Sequence, residues 1–279
     1  MFVKGICLLL WGILGFGGVK LIYPLFERFL ADISSVQVNY QGRKTPTGTG
    51  LLVYFVCFSI GGYQWLFSAE TSRELLPWLL LGSTIAAFAG WLDDQHGEQQ
   101  IKGLRGHVAA FWRHGRLTTG FLKAVVLSIA GGLVALPLSQ GFWHWFFQTN
   151  LLILSVNTLN LLDVRPGRAV KGFLFSISAV APFSVVGWQQ WDIWMPYLGA
   201  VLAVSRFDLQ ARSMLGDAGS NLLGMVFGLW LLTTQPEWVK AFFLCLFLGL
   251  HSLAEVGSIS RVIERVPFLR WVDGWGRQN

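Results

Sequence analysis

Long apolar runs alternate with short polar breaks along this chain. A bilayer core takes roughly 20 apolar residues per helix. That ruler selects nine segments: 5–26, 48–67, 75–92, 117–137, 142–162, 169–188, 191–205, 218–235 and 238–256. The seventh is short and bracketed by Trp191, Trp194 and Tyr197. Between the fifth and sixth, "LLDVRPGRAV" combines a proline, a glycine and charges, which predicts a tight polar turn. The pattern predicts an all-α, polytopic membrane helix bundle of about nine transmembrane helices over 1–256, with an interfacial segment over 257–279. The first run follows a single positive charge, Lys4, and leads into "YPLFERFLAD" instead of a small-residue cleavage site, so it reads as a retained helix.

Composition narrows the class. With 53% hydrophobic, 13% charged and 15% aromatic residues, 14 of them Trp, the chain has too little polar surface for a water-soluble domain. Cys7, Cys57 and Cys245 lie far apart inside apolar runs, without CxxC or Cys/His spacing. They read as buried small hydrophobes and exclude a disulfide framework or a zinc site.

Charge then supplies an orientation. If the breaks at 27–47, 93–116, 163–171, 206–217 and 257–279 share one side, that side and its helix ends, which include Lys123, hold 17 of the 21 Lys and Arg residues. The other side keeps Lys4, Arg73 and Lys240, while Lys20 lies within the first helix. By the positive-inside rule the rich side is cytoplasmic, giving an outside N-terminus and a cytoplasmic C-terminus. The net charge of +6 is then a topology signal and gives no support for nucleic-acid binding. Two stretches mix basic and aromatic residues, "IKGLRGHVAAFWRHGRLTTGFLKA" and "RVIERVPFLRWVDGWGR", and both are expected at the membrane surface.

The acidic residues at that face come from three distant breaks: Asp93 and Asp94, Asp163, and Asp217. A carboxylate beside a bilayer is costly and usually functional. Each also has a structural reading. Asp93 and Asp94 fit a solvated helix end, Asp163 a turn cap or an Arg165 partner, and Asp217 an N-cap. Four on one face point to a shared site. Asn157, Asn160 and Asp163 stand three residues apart and form one polar stripe on a helix. "MLGDAGSNLLG" puts Asp217 between glycines where a helix should start, an arrangement suited to a phosphate or to a metal-bound one. Carboxylate oxygens with few histidines and no thiol cluster suit a hard cation such as Mg2+, which takes one or two carboxylates together with substrate phosphates.

Four motifs in order carry a resemblance: "KTPTGTG" at 44–50, "GWLDDQHG" with "KGL" at 102–104, "NTLNLLD" at 157–163, and "GDAGSNLLG" at 216–224. The chain resembles the polyprenyl-phosphate N-acetylhexosamine-1-phosphate transferases of glycosyltransferase family 4, which include phospho-N-acetylmuramoyl-pentapeptide transferase. The resemblance implies a magnesium-dependent enzyme of cell-envelope (peptidoglycan or cell-wall) synthesis in the bacterial plasma membrane. It would transfer a sugar 1-phosphate from a UDP-linked nucleotide-sugar to polyprenyl phosphate and release UMP. By the same resemblance Asp217 would be the principal metal ligand. Asp93 and Asp94 would position or deprotonate the lipid phosphate, with Asp93 helping to hold the metal. Asn157, Asn160 and Asp163 would line the nucleotide pocket. Lys44, Lys102 and Lys123 would neutralise phosphate, or else serve only as topology signals.

The chain also departs from the pattern. After Asp163 it reads "VRPGRAVKG", with Pro166 where a second Asp is usual, and "HSLAEVGSISRVIERV" has no counterpart of the family's histidine-rich loop. His251 is a lone histidine in an apolar helix and is expected to be satisfied internally. Arg165 and Arg168 are candidates for a different anion clamp, because guanidinium suits bidentate phosphate contacts. A divergent lipid-phosphate-binding or scaffolding protein is the alternative reading. A transporter fits less well, since its carboxylates would sit at the midplane. A homodimer is left open.

Overall fold

The computed structural model describes residues 2–39, 42–67, 74–97, 106, 110–113 and 115–277, with the side chains of 2–4 and of 188–189 left aside. Among these residues nine long helices carry the architecture: α1 (Phe2–Asp32), α2 (Gly50–Phe67), α3 (Leu76–His96), α4 (Thr119–Ala135), α5 (Phe142–Leu162), α6 (Arg168–Val180), α7 (Met195–Leu209), α8 (Gly216–Thr234) and α9 (Glu237–Val256). Two short helices follow, α10 (Ile259–Arg265) and α11 (Pro267–Gly274). Each of the nine apolar runs therefore contains a helix. Five are long and apolar enough to cross a membrane: α1, α2, α3, α4 continued to Leu138, and α9. The other four are shorter or more polar.

Boundaries moved where local chemistry overrode hydropathy. The sixth helix stops at Val180, and Ala181–Phe183 with Pro182 continues as a 3-10 turn, since proline supplies no N–H to carry the ladder on. The seventh begins at Met195, with Pro196 in its first turn, a position proline favours. One element was not expected. β1 (Val36–Val38) and β2 (Lys44–Pro46) form an antiparallel ribbon pairing Val36 with Pro46 and Val38 with Lys44. At three residues per strand it is too short to leave a periodicity in the sequence.

The core forms around α8, which is buried all round, as expected of a helix without a polar face. It packs against α2, α3, α5, α6 and α9, and α1 packs along α7. Close approach requires glycine: a Cβ on Gly50 would lie 2.0 Å from the Gly219 Cα. The outward faces are apolar, with Leu21, Leu25 and Phe67 at 83%, 71% and 69% exposure. The same inversion corrects the cysteines. Cys57 is buried, but Cys7 and Cys245 are exposed, because in a membrane protein an apolar run does not say which of its residues face inward. His251 Nδ1 meets the Phe247 carbonyl at 2.8 Å, one turn back on its own helix.

Candidate active site

Three helix ends meet at one point. α3 delivers Asp93 and Asp94 in its last turn, α4 delivers Lys123 in its first turns, and α8 opens with Gly216 and Asp217. Thr118 starts α4 by accepting the Phe121 N–H at 3.2 Å, which fixes the helical phase of Lys123. The Lys123 Nζ then sits 2.5 Å from Asp93 Oδ2 and 2.5 Å from Asp217 Oδ2. One ammonium thus links two carboxylates brought from residues far apart in the chain.

Asp94 points elsewhere. Its Oδ1 accepts the Asp217 N–H at 2.9 Å and its Oδ2 accepts the Ala218 N–H at 3.1 Å. These are two of the four N–H groups that a helix N-terminus leaves without intrahelical partners, so a residue of α3 caps α8. The approach depends on two glycines. Gly216 has φ +73°, and a Cβ there would come within 2.6 Å of Asp94 Oδ2. A Cβ on Gly90 would meet the Asp217 carbonyl oxygen at 2.2 Å, so the two backbones touch.

The "KTPTGTG" segment straps this junction. Met214 donates its N–H to the Pro46 carbonyl at 2.8 Å, and its own carbonyl accepts from Gly48 N–H, Thr49 N–H and Thr49 Oγ1. From the ribbon, Gln37 Nε2 donates to the Asp94 carbonyl at 3.1 Å, and Ser35 Oγ accepts from Gln95. Backbone, hydroxyl and side-chain amide groups make these contacts, while Lys44 stands exposed on β2.

Asp163 caps the end of α5, where its N–H returns to the Asn160 carbonyl at 3.0 Å. With Asn39, Arg165, Pro166, Asp208 and Met214 it lines a small cavity of about 30 Å³. Withdrawal from water, then the charges of Asp208, Asp217 and Asp94, push its carboxyl well above the usual carboxylate range. It therefore shares the electrostatics of the cluster. Asn160 Nδ2 donates to Asn221 Oδ1 at 3.0 Å, tying the polar stripe of α5 to α8, whereas Asn157 is part-buried on the same helix.

Asp208 and Asn221 were not singled out from the sequence. Asp208 is 2% exposed and accepts the Gly167 N–H at 2.7 Å and the Leu215 N–H at 3.1 Å, joining the α5–α6 turn to the segment before α8. Asn221 stands one turn after Asp217 on α8, a spacing that could have identified it. Arg165 and Arg168 face the C-terminal segment, the first toward Glu264 and the second toward Asp273 and Ser260. Lys102 lies outside the described residues.

A groove of about 250 Å³ runs between α3 and α4. Ile85, Phe88, Ala89, Leu92, Leu122 and Val126 line its apolar length, and Asp93, Thr119 and Lys123 close its polar end. Among the described residues no three His, Cys, Asp or Glu side chains form a metal cage. The carboxylates that converge are Asp93 and Asp217, around the cationic head of Lys123.

None of the curated proteins matches the chain. The family model described as glycosyl transferase family 4 matches residues 76–235, more than half of the chain, from the start of α3 to just past the end of α8. That span holds Asp93, Asp94, Lys123, Asn157, Asn160, Asp163 and Asp217. The chain belongs to glycosyl transferase family 4.

Proposed function

We propose that this membrane transferase moves a sugar 1-phosphate from a nucleotide-sugar, UDP-linked by its family resemblance, onto a polyprenyl phosphate. The observation that carries this reading is the α3–α4 groove: an apolar channel ending in Asp93 and Lys123 suits a long-chain lipid with a phosphate head. Lys123 is placed to neutralise that phosphate, and Asp93, within its reach, to receive a proton from it. A lipid phosphate oxygen then forms the new P–O bond to the sugar-bearing phosphorus. The bond to the nucleoside monophosphate breaks, and UMP leaves. Asn157, Asn160 and Asp163 are assigned to the nucleotide side.

The donor set fits a hard divalent cation. Two carboxylate oxygens converge around one positive charge, and Mg2+ typically binds one or two carboxylates while water and phosphate complete its shell. Asp217 and Asp93 would hold it, and it would stabilise charge on the transferring phosphoryl group. Asp94 acts through Asp217, by fixing the helix end that carries it. Lys44 and Lys102 are assigned to phosphate neutralisation. The same reading makes all nine long helices membrane-spanning, with the Lys- and Arg-rich ends, and so the C-terminus, cytoplasmic. The home is a bacterial plasma membrane, and the product serves envelope glycan synthesis.

Purified protein incubated with undecaprenyl phosphate, Mg2+ and a panel of radiolabelled UDP-sugars tests the proposal. Labelled lipid is expected with at least one donor and is lost on chelation. If no donor gives labelled lipid and Asp217→Asn leaves cellular function intact, the enzyme reading falls. Saturable binding of the lipid without turnover would favour the scaffolding alternative.

A further inference from the structure

The segment after α9 is bound tightly to the turn that follows Asp163. Asp273 of α11 is 8% exposed and accepts from two guanidiniums, Arg168 side-on and Arg277 end-on. Arg168 donates from Nε to Oδ1 at 2.6 Å and from Nη2 to Oδ2 at 3.0 Å. Arg277 donates from Nη1 to Oδ2 at 2.9 Å and from Nη2 to Oδ1 at 2.5 Å. Arg168 Nη1 also reaches Ser260 Oγ at 2.7 Å, and Arg277 Nε reaches the Pro166 carbonyl at 2.9 Å. Lys171 Nζ donates to the Val272, Asp273 and Trp275 carbonyls at 2.9, 2.6 and 3.1 Å, placing a cation at the C-terminal end of α11. Separating a buried carboxylate from charged partners such as these is strongly destabilising. The rotation of α11 about its axis is therefore fixed.

Turning Asp273 inward turns the opposite face outward. Phe268, Trp271 and Trp275 stand at i, i+3 and i+7 and are 67%, 66% and 60% exposed. Their ring centroids follow one another at 6.3 and 6.4 Å, and Trp275 continues at 6.3 Å to Phe175 of α6. The result is a continuous strip of four exposed rings from the C-terminal segment onto the bundle. Arg261, Arg265 and Arg270 are exposed on the same two short helices. The strip comes shortly after α9, a helix able to cross a membrane, whose last residue Val256 is 92% exposed.

We propose that α10–α11 is a membrane-lying foot that binds anionic phospholipid. The strip Phe175–Trp275–Trp271–Phe268 enters the interfacial layer, and Arg261, Arg265 and Arg270 meet the headgroups. Aromatic rings interleaved with arginines match that layer in both polarity and charge. A second copy fits less well, because a two-fold contact sets a patch against itself and would oppose arginine to arginine. The foot also steadies the Asp163 turn, to which Arg165 and Arg168 belong.

The test uses the full chain with exposed Cys7 and Cys245 replaced by alanine, and Trp271→Cys carrying an environment-sensitive fluorophore. In nanodiscs, quenching by headgroup-proximal spin-labelled lipid is expected to exceed that of a control label at Arg212→Cys several-fold. It should rise further when phosphatidylglycerol is added to phosphatidylcholine. Replacing Arg261, Arg265 and Arg270 with glutamine should abolish the phosphatidylglycerol increment while leaving thermal stability unchanged. A label that stays in water overturns the proposal. So does one shielded only in proportion to protein concentration, which would indicate a second copy, and so does quenching indifferent to lipid charge.

Discussion

At the end of α3 two consecutive carboxylates meet different partners. Asp94 binds the first N–H groups of α8, and Asp93 binds an ammonium. Substitution should separate them. Asp93→Asn and Asp217→Asn should each lower kcat by about 100-fold or more, the scale of losing a preorganised charge at a reacting phosphoryl group. Asp94→Asn keeps an oxygen able to cap. It should retain most of kcat and lose about 1 kcal/mol of stability, whereas Asp94→Ala, which cannot cap, should lose both. Asp163 behaves differently again. An acid whose folded pKa is raised contributes stability that is fully present below its unfolded value of about 3.9 and is lost as pH rises from there through the raised folded value. Asp163→Asn should therefore melt above the parent at neutral pH, with a flatter pH profile, while transfer activity falls. Thermal unfolding in detergent across pH, alongside a turnover assay, checks both statements.

Helix packing sets where those side chains stand. α3 touches the first turn of α8 through bare backbone, since a Cβ on Gly90 would fall 2.2 Å from the Asp217 carbonyl oxygen. Gly90→Ala must push the two helices apart. The expected cost is about 1–3 kcal/mol for overpacking, with a fall in kcat as Asp217 leaves Lys123. Gly62→Ala in α2 is the control. Nothing lies within 4 Å of the added methyl, and helix propensity should stabilise the variant by roughly 0.5–1 kcal/mol. Melting temperatures with kcat on both variants distinguish a packing effect from a general glycine effect. In the groove between α3 and α4, Ala89→Phe should raise the KM for the lipid far more than that for the nucleotide-sugar, because Ala89 lines the apolar length and not the charged end.

At the scale of the whole molecule, the Asp273 clamp joins the last described segment to the α5–α6 turn across about a hundred residues of chain. Asp273→Ala leaves Arg168 buried without its carboxylate and should cost about 3–5 kcal/mol. The pairing also has a pH signature. Arg168 and Arg277 hold the Asp273 carboxyl below its ordinary value against the opposing pull of burial. A depressed acid stabilises fully above its unfolded pKa of about 3.9, and that stability is lost as pH falls through the lower folded value. The parent should therefore show an acid destabilisation below about pH 4 that Asp273→Asn lacks. Urea or thermal titration of both proteins from neutral to acid pH measures it.

The membrane class, the nine long helices and the motif carboxylates were legible in the sequence because each depends on local pattern. Twenty-residue apolar runs need a bilayer or a core, and carboxylates at helix ends mark themselves by their rarity. Tertiary structure alone decided what those residues do to one another. The sequence grouped Asp93 with Asp94, but helix rotation sends one toward Lys123 and the other to the α8 N-terminus. It offered Arg165 and Arg168 as an anion clamp, and the fold turns them to Glu264 and Asp273, residues whose proximity no spacing encodes. Asp208 drew no notice in the sequence, and the fold makes it a buried joint between two loops. A side chain's partner depends on how helices cross, which is set by summed packing over the whole bundle. The local pattern fixes what each helix is, and the crossing fixes which of its residues meet.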